Sequence, residues 1–137
     1  MVLTERQIEL IRDSHGWLMP EAQRLSGVFY DDLFRRAPNL RALFREDLAE
    51  QGMKFMTAIS MITSYLEDRA ALEGRLHDLG KAHALFNLRA MDYREMEEAL
   101  IDTLAEAFKN RFTTEIELAW RSAFSHMAER MLAAKSA

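Results

Sequence analysis

An all-α fold is predicted by three observations on the 137-residue sequence. The chain has five Gly and two Pro, so few residues interrupt helices. Apolar residues recur at the three- and four-residue spacing of a helix along much of the chain. No segment combines sustained two-residue alternation with β-branched enrichment, so we expect no sheet. Because no linker or repeat divides the chain, we expect a single domain over residues 1–137 with about six to seven helices.

Capping residues and prolines place the helices along the chain. Thr4 with Gln7 has the capping-box pattern that begins a helix, and Pro20 suits the first turn of the next one. The pairs Asp47–Glu50 and Thr114–Glu117 repeat the capping pattern. The helical segments predicted in this way are 4–18, 20–36, 38–44, 47–68, 71–86, 92–109 and 114–134.

The composition excludes several classes of protein. The absence of Cys excludes disulfides, thiolate metal sites, iron–sulfur clusters and covalently attached haem. The chain carries 18 Lys and Arg against 22 Asp and Glu, and this acidic balance argues against nucleic acid as the main partner. No run approaches the roughly 20 apolar residues of a membrane span, so we expect no membrane insertion and a cytoplasmic location.

Catalytic motifs are missing from the sequence. It has no H-E-x-x-H, no nucleotide-binding glycine loop, no G-x-S-x-G and no paired Glu-x-x-His. Its four histidines are scattered, which disfavours a site built from several of them. A single histidine can still supply the axial bond of a haem, because the porphyrin provides four other ligands.

Gln51 is an unexpected polar residue on an apolar helix face. It lies four residues before Phe55 on the predicted buried stripe of the 47–68 helix. Either it sits at the edge of the stripe and reaches solvent, or it faces a cavity that holds a polar ligand. Gly52 beside it predicts a close helix crossing, with Ser26 and Gly27 on the second helix as its partners.

Two further polar residues accompany apolar faces. His83 follows Leu76 and Leu79 at helical spacing, so it points into the predicted core. It is either a hydrogen-bonded core residue or a ligand. Tyr30 lies beside the apolar face of the second helix, either as a boundary residue or in contact with a ligand.

Several short stretches, taken in order, resemble bacterial globins over roughly residues 3–131. The resembling stretches are Phe29-Tyr30, Leu33-Phe34, Pro38 and Leu43-Phe44 in the second and third helices, Gln51-Gly52-Met53-Lys54-Phe55 in the distal helix, Leu79-Gly80-Lys81-Ala82-His83 with Phe86, Leu88 and Tyr93 in the proximal segment, and Phe112-Thr113 with Ala119-Trp120 in the last helix. The match is to single-domain haemoglobins and to the globin domains of flavohaemoglobins.

The resemblance implies a globin fold packed around haem b. His83 would be the iron ligand, and Phe44 would pack against the porphyrin. Tyr30 and Gln51 would donate hydrogen bonds to dioxygen on the distal side. Phe55 would take the distal apolar position where relatives more often have leucine, and so would narrow the pocket.

The remaining residues implied to contact the cofactor are Lys54, Leu79, Leu88 and Tyr93. Lys54 would reach a haem propionate, while Leu79, Leu88 and Tyr93 belong to the proximal segment. The resemblance assigns no catalytic residue. Gln51 or Lys54 could also bind the iron when no gas is present.

The chain departs from the family pattern in two places. Flavohaemoglobins have a glutamate on the last helix that strengthens electron donation from the proximal histidine, and Lys135 lies about where that acid belongs. This puts peroxidase-like behaviour in doubt. The first helix has Ser14-His15 where relatives commonly have Ser-Trp, which bears on local packing.

Four functions stay open at this point. The resemblance favours reversible binding of dioxygen, and also of NO and CO, at a five-coordinate haem, as in oxygen transport. Nitric oxide dioxygenation, which would detoxify NO, needs a separate reductase. A gas sensor acting through a separate partner protein and a haem-free interaction module are the other two. The chain could be a monomer or a homodimer.

Overall fold

The structure is a computed structural model that describes residues 3–43, 48–83 and 87–135. The side chains of residue 43, residues 48–54 and residue 135 are also outside the description. Phe44, Asp47 and Phe86 therefore lie outside the described residues, as do the side chains of Gln51, Lys54 and Lys135.

Six α-helices and three short 3₁₀ segments form the described part of the chain, which contains no strand. The helices are α1 Glu5–Leu18, α2 Ala22–Arg36, α3 Leu48–Ser64, α4 Arg69–His83, α5 Ala90–Phe108 and α6 Thr114–Lys135. The 3₁₀ segments are Met19–Glu21, Pro38–Leu43 and Lys109–Arg111. The all-α prediction is confirmed.

The first predicted cap is present, and two helix ends differ from expectation. The Thr4 side chain accepts from the Gln7 N–H at 3.0 Å, and the Gln7 side chain accepts from the Thr4 N–H at 3.0 Å. Asp68 was expected at the end of the predicted 47–68 helix. Its carboxylate instead accepts from the Ala71 N–H at 3.1 Å and so caps the N-terminus of α4. The cap expected at Thr114 belongs to Thr113, which accepts from the Ile116 N–H at 3.2 Å.

The start of α5 also differs from expectation. The helix begins at Ala90, not at Asp92, because the Asp92 carboxylate accepts from the Arg89 N–H at 2.8 Å. The Arg89 guanidinium adds a contact of 3.1 Å to the same carboxylate. A carboxylate in the first turn satisfies a backbone donor there and interacts favourably with the helix dipole.

The core is formed where α6 packs against α4 and α1, and where α2 packs against α3 and α5. Inside it, the Trp120 indole N–H donates to Ser14 Oγ at 2.8 Å, and Ser14 Oγ donates to the Leu10 carbonyl at 2.6 Å. His15 lies at the edge of this packing, with Nε2 2.9 Å from Ser60 Oγ on α3. The Ser14-His15 departure is thus accommodated by polar contacts from α1 to two other helices.

The close helix crossing was expected at Gly52, whose surroundings lie outside the description, with Ser26 and Gly27 of α2 as its partners. Gly27 is exposed, and a Cβ there would meet nothing within 4 Å. Ser26 is buried and donates to the Gln23 carbonyl within its own helix at 2.7 Å. A close approach is described at Gly80 on α4, where a Cβ would lie 2.7 Å from the Met131 carbonyl oxygen of α6. The expectation was wrong for Gly27, because this residue faces solvent and not a neighbouring helix.

Among the described residues, no helix is long and apolar enough to cross a membrane.

Candidate functional site

His83 stands at the C-terminal end of α4, half-buried, with its ring oriented by the backbone. Its Nδ1 lies 2.8 Å from the carbonyl oxygen of Leu79, one turn earlier. A carbonyl can only accept, so Nδ1 carries the proton and Nε2 of the neutral ring carries the lone pair. This is the arrangement that histidine ligands of metals use, because the hydrogen bond at one nitrogen orients the other.

Tyr30 on α2 is buried in an aromatic environment. Its ring is edge-on to Phe29, with centroids 5.0 Å apart, and it stacks on Phe34 at 5.6 Å. Burial raises the pKa of Tyr30 to about 12. The hydroxyl therefore stays protonated near neutral pH and can act as a hydrogen-bond donor.

Phe55 on α3 joins this aromatic group. Its ring lies nearly parallel to that of Phe29, with centroids 4.0 Å apart and 10° between the planes. The structure thus brings Tyr30, Phe29 and Phe55 together where α2 packs on α3. Gln51 lies one helical turn before Phe55 on the described backbone of α3, and its side chain is outside the description.

The residues predicted for the proximal side lie at the end of α4 and the start of α5. Leu88 and Tyr93 are buried, and Leu79 is half-buried against the core. Burial, and after it the charge of Asp92, raises the pKa of Tyr93. Asp92 is itself buried. Its carboxylate accepts from the Arg89 guanidinium, and it directly precedes Tyr93 of the predicted proximal segment.

Two residues near this region were missed by sequence reasoning. Asp92 was expected only to begin a helix, although an acid in a first helical turn is a usual capping signal. Gly80 was part of the resembling stretch without a role of its own. A glycine inside a predicted helix, the signal used at Gly52, could have indicated a close crossing at Gly80, but its partner α6 is too distant in sequence for local spacing to identify.

A groove of about 610 Å³ lies elsewhere, between α1, the segment 66–72 and His126 of α6. It is lined by none of the predicted site residues. The groove is therefore not formed by the residues predicted to hold the cofactor.

The residues present fit a haem better than a bare metal ion. In the described part of the chain, no group of three or more His, Asp or Glu could hold a metal ion. A single histidine with an oriented ring suits a cofactor that brings its other ligands with it. The buried apolar residues Leu88 and Tyr93 and the half-buried Leu79 suit its flat, apolar faces.

The all-α fold, the oriented ring of His83 and the buried aromatic cluster of α2 and α3 suit a helical protein that binds haem. The Globin family profile matches residues 27–131 of this chain. The chain belongs to the globin family, and the resemblance inferred from the sequence is confirmed. Family membership implies haem binding.

The relatives include flavohemoproteins and neuroglobins. The flavohemoprotein of Vibrio cholerae is 25% identical over 131 residues, covering 93% of this chain and 33% of the relative. The chain thus spans about a third of the length of the flavohemoprotein relatives it matches. The neuroglobin of Chaenocephalus aceratus is 26% identical over 143 residues, covering 94% of this chain and 90% of the relative.

A solved structure supports the fold. An engineered carbene transferase, RmaNOD, derives from a Rhodothermus marinus protein assigned as a nitric oxide dioxygenase. It superimposes with a TM-score of 0.87 at 24% identity, covering 98% of this chain and 94% of that one.

Proposed function

We propose that this chain is a haem-binding globin that binds dioxygen reversibly, with haem b held by His83. The observation that carries the proposal is the 2.8 Å contact between His83 Nδ1 and the Leu79 carbonyl, which gives the ring the tautomer of a metal ligand. Haem, when bound, supplies an iron that takes up diatomic gases.

Tyr30 and Gln51 are proposed as the distal donors. The Tyr30 hydroxyl is neutral and protonated because burial raises its pKa to about 12. A Gln side-chain amide is also a donor. Donors in an apolar surrounding interact more strongly with partial negative charge than they do in water. They should therefore hold dioxygen, which is polarised, longer than carbon monoxide.

Phe55 and Phe29 are proposed to exclude water from the distal side. Their stacked rings place apolar surface beside Tyr30 and leave little room there. Phe44, Lys54, Leu79, Leu88 and Tyr93 are proposed as the remaining cofactor contacts.

The test is the absorption spectrum of the purified protein after hemin addition, measured ferric, reduced, and exposed to air and to CO. A Soret band and a stable oxy spectrum are expected. His83→Ala should lose the five-coordinate ferrous spectrum. His77→Ala is the matched control, because His77 lies exposed on the same helix. A five-coordinate ferrous spectrum that survives in His83→Ala would exclude His83 as the ligand.

Nitric oxide dioxygenation is the second candidate. It is favoured by the flavohemoprotein relatives and by the assignment given to the parent of RmaNOD. The reaction joins dioxygen, nitric oxide and one electron into nitrate, so each turnover needs an electron donor. A separate reductase would supply it. Stopped-flow addition of NO to the oxy protein should cause rapid oxidation, and no rapid oxidation would eliminate this candidate.

A further inference from the structure

Of the four glycines whose surroundings the structure describes, only Gly80 is in close contact with a neighbouring helix. A Cβ at this position would lie 2.7 Å from the Ala134 Cβ, 2.7 Å from the Met131 carbonyl oxygen and 2.9 Å from the Met131 Cα. Two of these three atoms belong to the α6 backbone, which cannot rotate away as a side chain could. The two helices can therefore approach this closely only because residue 80 has no side chain.

A second contact holds α4 to α6 on the same face. Glu73 Oε1 lies 2.8 Å from His126 Nε2, and Glu73 Oε2 lies 2.7 Å from Arg130 Nε. Glu73 and Gly80 are seven residues apart, which places them on one side of the helix, with the fully buried Leu76 between them. The position of α4 is thus set at two points along its length.

Gly80 is directly connected to the backbone that orients His83. It follows Leu79, whose carbonyl accepts from His83 Nδ1 at 2.8 Å. The same turn of helix also carries the Cα of His83, three residues after Gly80. A displacement of residues 79 and 80 away from α6 would therefore move both the histidine and the acceptor that orients its ring.

We infer that Gly80 is a positioning residue for the iron ligand. Its close contact with Met131 and Ala134 determines how near α4 lies to α6, and thereby where α4 presents the His83 ring. The inference rests on the proposed function, because it concerns the bond between His83 and haem iron. It predicts that a single methyl group at residue 80 perturbs that bond without touching haem.

The experiment compares Gly80→Ala with Gly74→Ala in hemin-loaded full-length protein. Gly74 is the matched control, since it lies exposed on the same helix and a Cβ there would meet nothing within 4 Å. The ferrous iron–histidine stretching band in resonance Raman should shift in Gly80→Ala and stay in place in Gly74→Ala. Hemin transfer to an excess of apomyoglobin should be about tenfold faster for Gly80→Ala.

The double variant Gly80→Ala with Ala134→Gly removes one of the three contacts, so partial return of the band towards its wild-type position is expected. If Gly80→Ala does not fold, judged by circular dichroism, the double variant carries the test. If Gly80→Ala folds, a wild-type band in this single variant overturns the positioning role; if only the double variant folds, a wild-type band there overturns it, because both Met131 contacts remain. If wild-type protein takes up no hemin, the proposed function fails and this inference with it. If wild-type protein shows the iron–histidine band and Gly80→Ala leaves that band unchanged, this inference fails and the proposed function stands.

Discussion

Tyr30 illustrates how burial determines the chemistry of one side chain. It lies between Phe29 and Phe34, and burial raises its pKa to about 12. The anion is disfavoured in apolar surroundings, so the phenol remains a donor over the whole physiological pH range. A donor at this position suits a ligand with partial negative charge.

At the residue scale, Tyr30→Phe should accelerate dioxygen release by about tenfold or more, because a hydrogen bond to a polarised group in an apolar pocket is lost. Carbon monoxide release should change much less. Both rates can be measured by stopped-flow ligand replacement. Tyr65→Phe is the control, since the Tyr65 hydroxyl accepts from Arg75 at 3.3 Å in an exposed position. Equal acceleration of both gases would argue against a hydrogen bond from Tyr30.

Ser14→Ala should lower the free energy of unfolding by about 1–3 kcal/mol, because the buried Trp120 indole N–H loses its acceptor at 2.8 Å. The measurement is urea unfolding followed by circular dichroism. Ser64→Ala serves as control, since Ser64 is exposed and its hydroxyl donates to the Met61 carbonyl of its own helix. If the two variants are equally stable, the bond between Ser14 and Trp120 contributes nothing.

At the scale of elements, the contact between α4 and α6 combines a close backbone approach with an ionic cluster. Gly80 provides the approach, and Glu73 provides contacts to His126 and Arg130. Burial disfavours the charge of Glu73, but hydrogen bonds from Arg130 and His126 outweigh burial and hold the pKa of Glu73 below its ordinary value. The ionised carboxylate therefore favours the folded state.

This pKa shift predicts how stability depends on pH. Because the pKa of Glu73 is lower in the folded state, its stabilising effect is present above the unfolded pKa of about 4.3 and is lost as pH falls through the folded pKa. Glu73→Gln should thus lower the melting temperature at neutral pH and reduce the further loss in acid. Glu129→Gln, at an exposed position on α6, is the control. The same acid sensitivity in Glu73→Gln and wild type would contradict the prediction.

At the scale of the whole molecule, haem binding and folding should be linked. A ligand that binds only the folded state stabilises it, by about 2.7 kcal/mol at a free concentration near 100 Kd. The melting temperature should therefore rise with added hemin in wild-type protein and much less in His83→Ala. Differential scanning calorimetry at several hemin concentrations measures this. An equal rise in both proteins would mean that hemin binds elsewhere on the chain.

Much of the fold and part of the candidate site could be predicted from the sequence. The all-α class and the Thr4–Gln7 cap depend on residues within one turn of each other, so spacing and residue type suffice. His83 and Tyr30 were expected to lie towards the core, and the structure buries Tyr30 and half-buries His83.

What the sequence by itself determined is therefore whatever depends on near neighbours along the chain. The tertiary structure decided which helices meet. It brought Gly80 against the backbone of α6 and left Gly27 exposed, made Ser14 the acceptor for Trp120, and gave Glu73 two partners on α6. These contacts join residues more than 50 positions apart in the chain. Their geometry follows from how whole helices pack, which local periodicity does not encode.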